Sequence, residues 1–178
     1  NPLALNMYLL GYNSRKKLVS VNQAVKENLR TYLGQYRMIT DAINLKDAFV
    51  INIGVKFNIL TKPTANKNEV LTRAIEEVKT FFEVDRWQIN QPIVLADLVY
   101  RLSLVDGVSG VVPPKEDNLA SNPIIITNKY KTADGYSGNL YDIDSATKNG
   151  VIYPSLDPSI FELKFPASDI EGRVVGDY

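Results

Sequence analysis

The chain has no cysteine and no histidine among its 178 residues. Without cysteine there is no disulfide, no thiolate nucleophile and no thiolate-held zinc. Its absence fits a reducing compartment, weakly, because many secreted chains lack it too. Without histidine there is no Ser-His-Asp triad, no imidazole metal ligand and no side chain whose ordinary titration falls near neutral pH. Catalysis would fall to carboxylates, lysine, tyrosine or serine alone. Surplus charge is missing as well: 20 Lys and Arg face 20 Asp and Glu. A general nucleic-acid binder would show a basic excess. No apolar run approaches the roughly 20 residues of a membrane-spanning helix. The first residues do not read as a basic-then-apolar signal segment. The chain begins with Asn1 and enters a strand pattern almost at once, as expected of a piece of a longer polypeptide.

What is present is core material. Hydrophobic residues make up 45% of the chain, enough for one ordinary domain, or a small domain with a long appendage. Residues 3–12 (LALNMYLLGY) are apolar and aromatic and predict a strand. Val21, Ala24, Val25, Leu29, Tyr32 and Leu33 recur at helical spacing, with Ser20 or Asn22 as cap and Gly34 as stop. The clearest signal runs from 49 to 59. There Phe49, Ile51, Ile53, Val55, Phe57 and Ile59 alternate with Val50, Asn52, Gly54, Lys56 and Asn58. That period of two predicts a strand with one face on a core. Helices are expected over 67–84 and 93–105, joined by a linker that holds the only tryptophan, Trp87. A short β-branched strand over 108–112 ends at Pro113-Pro114, as an edge strand would. The order strand, helix, strand, helix, helix, strand predicts an α+β fold over residues 1–114, a small sheet with helices packed on one face.

Residues 115–178 differ in character. A further strand is expected within 122–130. Gly, Asp, Ser, Asn and Pro then dominate, and from Thr132 onward eight acids face three bases. This stretch is net −5 and the first 131 residues are net +5, so charge favours docking of one on the other, in cis or in trans. Apolar clusters punctuate it, unlike a disordered tail. The expectation is an extended acidic arm with short strands. Its clusters Ile152, Tyr153, Ile160, Phe161, Leu163 and Phe165 are the candidate contact residues, against either the same domain or another subunit.

The search for chemistry is nearly empty. Asp142-Ile143-Asp144 resembles the opening of a calcium loop, but Ala146, Thr147 and Tyr153 occupy positions that need a ligand, a glycine and a glutamate. Gly107-Val108-Ser109-Gly110 lacks the phosphate-loop lysine and follows a helix, so it predicts a turn. Arg15, Lys16 and Lys17 lack interleaved aromatics and predict a solvated turn or a dock for the acidic arm. Glu76 and Glu77 diverge by about 100° on a helix and cannot act as a pair. No catalytic residue, cofactor site or metal site is expected. A reading from another class keeps Asp142, Asp144 or Asp157 with nearby tyrosines as a carboxylate-based hydrolase or carbohydrate-binding module.

Four elements in order, three quoted stretches and the long helix over 67–84 between the last two, resemble the baseplate J-like family of contractile phage tails. The stretches are VNQAVKENLRTYLGQYRMITD (21–41), with its helix ending in a polar-and-glycine turn, AFVINIGVKFNIL (48–60), and VLADLVYRLSLVDGVSGVV (94–112) with its valine-aspartate-glycine-valine pattern. The likeness covers about residues 19–114, and the acidic arm is similar to the C-terminal end of a wedge protein. Gly34-Gln35 stands where a proline-containing turn is commoner. The resemblance implies a non-enzymatic structural subunit of a baseplate wedge. It would pair with itself as a homodimer, link wedges into a ring around the hub and bind other wedge proteins. Its place would be the virion tail, assembled in the host cytoplasm. Neither nucleic acid nor a membrane is an implied partner.

Overall fold

The computed structural model describes residues 4–36, 42–113 and 122–176. The expected boundary at 114–115, the first residue of the expected opening strand and the end of the 21–41 stretch lie outside these residues. The fold is mixed α+β. Two compact units divide between Phe49 and Val50, not near Pro114.

Unit 1 opens with β1 (Ala4–Leu9), a hairpin of β2 (Gly11–Tyr12) and β3 (Leu18–Val19), helix α1 (Gln23–Gly34) and β4 (Ala42–Asp47). The basic triplet sits in the hairpin turn: Asn13 Oδ1 accepts the N–H groups of Arg15 and Lys17 at 2.9 and 3.1 Å. Asn22 caps α1, its side chain accepting from Ala24 N at 2.8 Å. Strands β1 and β4 pair in parallel from Ala4–Ala42 to Leu9–Asp47. Asp47 then ties α1 to this pair, accepting from Lys26 Nζ at 2.8 Å and Val21 N at 3.0 Å. Burial pushes the Asp47 carboxyl up, but the Lys26 hydrogen bond, the Val21 N–H and the Lys26 charge outweigh it and hold it below the usual range.

Unit 2 is built on one strand, β5 (Phe49–Thr61). It continues through α2 (Lys67–Phe81), β6 (Ile93–Val94), α3 (Leu95–Ser103), β7 (Val108–Val112) and β8 (Ile124–Asn128). The remainder is short: α4 (Ile143–Ala146), β9 (Thr147–Lys148), β10 (Val151–Ile152), β11 (Ser159–Glu162), α5 (Pro166–Asp169) and β12 (Ile170–Val174). Strand β12 runs parallel to β5 and occupies one of its edges from Val55 to Ile59. Over the same residues β8 (opposite Ile53–Phe57) and β7 (opposite Asn58–Thr61) pair antiparallel with β5. They therefore lie end to end along its other edge. Strand β11 pairs with β5 as well.

The helices cover this sheet for the reason their spacing predicts. Val70, Ala74 and Val78 recur every four residues on α2 and are buried; Leu95, Leu98 and Leu102, spaced three and four apart, are buried on α3. Both helices pack on each other, α2 against β12 and α3 against β7. Asn66 starts α2 by accepting from Asn68 N and Glu69 N at 3.1 and 3.4 Å. Gly172 of β12 is needed for the closeness of this layer. A Cβ there would lie 2.5 Å from the Phe57 ring and 3.0 Å from Leu71, inside van der Waals contact. The linker after α2 is not loose: Trp87 stacks on Phe82 at 5.3 Å and donates to Phe81 O at 2.9 Å.

The C-terminal segment does not form an extended arm over its described residues. Residues Ile170–Val174 supply an edge of the central sheet, and β11 joins it too. Strands β9 and β10 form a hairpin whose Asn149-Gly150 turn takes positive φ at both positions (54° and 75°), and β10 then pairs with β6. The reason is that β5 is too long and too apolar to stand alone. Its edges require partners, and the segment after 122 holds the β-branched clusters that fit them.

Candidate functional site

Among the described residues, the second face of β5 carries a concentrated buried polar network. Asn52, Ser159, Glu162 and Asp169 are all buried. Asn52 sits at the centre. Its Nδ2 donates to Glu162 Oε1 at 2.8 Å, its Oδ1 accepts from Ser137 N at 2.8 Å, and its carbonyl accepts from Lys129 N and Asn128 Nδ2 at 2.8 and 3.1 Å. Ser137 Oγ and Asn139 Nδ2 both donate to Val50 O at 2.8 Å. Asn128 Oδ1 accepts from Tyr141 N at 2.9 Å. Both ends of the Asn52 side-chain amide and its carbonyl meet partners, as burial demands. The network fastens the 136–141 loop across the start of β5. Its chemistry is that of a staple. Among the described residues no group of three metal-ligating side chains converges.

Tyr136 extends the staple to α5. Its hydroxyl donates to Asp169 Oδ1 at 2.6 Å, and its ring meets Phe165 edge-on at 5.4 Å. Asp169 Oδ2 is buried with no hydrogen-bond partner among the described residues, and the carboxyl is held by its other oxygen. Burial, then the Asp169 hydrogen bond, then the negative charges of Asp169 and Asp134, push the Tyr136 hydroxyl up from 10 to about 12. Below about pH 10 it stays protonated, folded or unfolded. Above that, the unfolded chain releases a proton that the folded one keeps, so stability is lost between about pH 10 and 12. The midpoint of thermal unfolding in wild type is expected to fall more steeply through that window than in Tyr136→Phe. Equal slopes would refute the assignment.

Of the six contact candidates, Ile152, Ile160, Phe161 and Leu163 are buried in unit 2 and cannot meet another subunit. Ile152 faces Ile93 across the β10–β6 pair, and Phe161 packs near Tyr141 at 6.2 Å. Phe165 is half-buried against Tyr136 and beneath Lys164. Only Tyr153 is exposed. Their burial follows from strand pairing, which periodicity within the segment itself does not reveal.

The remaining sequence candidates take structural places. Asp142 caps α4, with one oxygen on Ser145 N at 3.2 Å and the other on Ser145 Oγ at 2.6 Å, which holds its carboxyl below the usual range. Asp144 lies within α4, and Asp157 lies in an exposed loop whose carbonyl accepts from Ser155 Oγ. Gly107 forms the turn between α3 and β7. Glu77 pairs with Arg101 at 2.7 Å, while Glu76 is exposed beside it. A shallow depression of about 350 Å³ lies against Asn68, Glu69, Thr72 and Arg73, all on the outer side of α2.

Tyr153 aside, the exposed large apolar residues were not the ones expected; after residue 122 they are Tyr130, Leu140 and Leu156. On unit 1 they are Leu5, Tyr12, Val19, Val25, Tyr32 and Tyr36; on α3 and just past it they are Tyr100 and Leu104. Unit 1 buries only Leu18 and Ala48 among its described apolar side chains, and α1 buries none. The amphipathic spacing of α1 signals an apolar face, but not that the face is left outward. None of the described helices is long and apolar enough to cross a membrane. A scan against protein-family models and a search of curated proteins each found no match.

Proposed function

We propose that this chain is a non-enzymatic assembly module, and that its setting is the baseplate wedge of a contractile phage tail. One observation carries the assembly reading: unit 1 buries only Leu18 and Ala48 among its described apolar side chains. A two-stranded parallel sheet is seldom stable without cover on its faces. A short helix gains most of its stability from packing its apolar side. Such a unit is completed by a partner. The wedge setting rests on the sequence resemblance over residues 19–114. In that setting the module joins copies of itself and other wedge proteins around the hub.

The setting is tested by electron microscopy of contractile-tailed particles from the source, with gold-labelled antibody against this chain. Label confined to the baseplate end of the tail is expected. Tails decorated elsewhere, or not at all, would overturn the wedge assignment.

A further inference from the structure

We propose that the chain cuts itself at the Asp157–Pro158 bond. The proposal goes beyond the assembly reading and does not depend on it. The chain acts on itself once, without turnover, so it remains a non-enzymatic module. Asp157-Pro158 is the only aspartate-proline pair in the sequence. An aspartyl carboxyl lies beside its own main-chain carbonyl carbon, held there by covalent geometry, so nucleophile and target need no approach. The nitrogen that must leave belongs to proline. It is a tertiary amide nitrogen, more basic than an ordinary peptide nitrogen, and departs more readily once it takes a proton.

The fold adds to this intrinsic chemistry. The carbonyl of Asp157, which is the scissile one, accepts the Ser155 hydroxyl at 2.9 Å. That is the distance of a donor that stabilises a developing oxyanion. The Asp157 carboxyl is exposed, and among the described residues no hydrogen bond or ion pair engages it. Leu156 beside it is fully exposed, so water reaches the bond. Both ends of the loop are held. Ser155 N–H donates to Ser159 Oγ at 3.1 Å. Ser159 is fully buried; its N–H donates to Asn90 Oδ1 at 3.3 Å and its carbonyl accepts from Asn90 N at 2.7 Å. This clamp keeps Ser155, Asp157 and Pro158 in one arrangement, where an unfolded chain samples many.

The Asp157 carboxyl oxygen attacks its own main-chain carbonyl carbon. A C–O bond forms, closing a cyclic anhydride, and the C–N bond to Pro158 breaks. The negative charge that builds on the carbonyl oxygen is met by the Ser155 hydroxyl. The carboxyl proton passes to the proline nitrogen, which leaves as a secondary amine. Water then adds to the anhydride and opens it, leaving Asp157 with a side-chain and a terminal carboxyl. One water is consumed, and nothing is oxidised or reduced. The products are residues 1–157 and 158–178. The shorter one carries β11 and β12, both paired with β5, and the buried Ile160, Phe161, Leu163 and Ile170. It therefore stays bound while unit 2 is folded. The cut turns a covalent part of unit 2 into a peptide held by strand pairing alone.

Mass spectrometry of the purified chain, kept folded for days in mildly acidic buffer, tests this. The same chain unfolded in urea at the same pH runs beside it. A single cut is expected, with a product that begins at Pro158. The two pieces should elute together from the folded sample and separate in urea. The folded chain should be cut about tenfold faster than the unfolded one, or more, because only the fold supplies the Ser155 donor. Ser155→Ala should slow the folded chain by about tenfold or more, Ser155→Thr should retain the rate, and Asp157→Ala should stay whole. The comparison with urea needs no variant, so it decides the matter even where a variant fails to fold. No product, a cut at another bond, or an unfolded chain cut as fast as the folded one would overturn the proposal. So would a folded Ser155→Ala cut at the wild-type rate, or a cut that persists in Asp157→Ala.

Discussion

A chain cut after Tyr130 is expected to lose the cooperative unfolding of unit 2. The cut removes β9, β10, β11 and β12, and with them the buried Ile143, Ile152, Ile160, Phe161, Leu163 and Ile170. Full burial of such side chains contributes roughly 1.5–3 kcal/mol each. Six together reach about 9–18 kcal/mol, at least as large as the entire net stability of an ordinary domain. The edge of β5 from Val55 to Ile59 would lose its partner as well. Calorimetry should show no cooperative transition for the shortened unit 2. A transition within a few degrees of the intact chain would mean that the segment after 130 is an appendage after all.

Asn52→Leu is expected to destabilise unit 2 by about 2–5 kcal/mol. Two groups lose a partner at once: the buried Glu162 carboxyl and the part-buried Ser137 N–H. Each orphaned group costs about 1–3 kcal/mol. Leucine has nearly the same volume, so the loss is polar and not a cavity. The double variant Asn52→Leu/Glu162→Leu should recover part of it, because removing both members of a buried pair is far less costly than removing one. Urea unfolding measures both. A loss under about 0.5 kcal/mol, or no recovery in the double variant, would refute the staple.

These two results bear on what the residues disclose by themselves. The alternation from Phe49 to Ile59 is a strand because inward side chains must all fall on one face. The same alternation assigns Asn52 and Gly54 to solvent, yet both are buried. Periodicity cannot see a second layer contributed by residues 80 or more positions away. The helices over 67–84 and 93–105 were legible from their apolar spacing and from Asn66, and the structure trims them to 67–81 and 95–103. Strand β4 was not anticipated. AINLKD is half polar, and its pairing with β1 depends on a partner 38 residues away. The β9–β10 hairpin had a local signal, Asn149-Gly150, the dipeptide that tolerates positive φ at both turn positions.

The contact residues were misplaced for a related reason. Apolar clusters in an acidic, glycine-rich stretch read as surface seeking a partner, and β5 within the same chain was that partner. The apolar face left outward belongs instead to α1, where Val25, Leu29, Tyr32 and Leu33 gave an ordinary amphipathic pattern. A helix pattern states which residues share a side. It does not state whether the side is covered.

The account holds that unit 2 is complete in one chain and that α1 is completed by a neighbour. Hydrogen exchange of the intact chain at two concentrations, dilute and well above the association range, tests this most directly. Amides of Gln23–Gly34 should exchange quickly in dilute solution and slowly when concentrated, while those of Ile51–Ile59 stay equally protected in both. Equal protection of α1 at both concentrations would contradict the account.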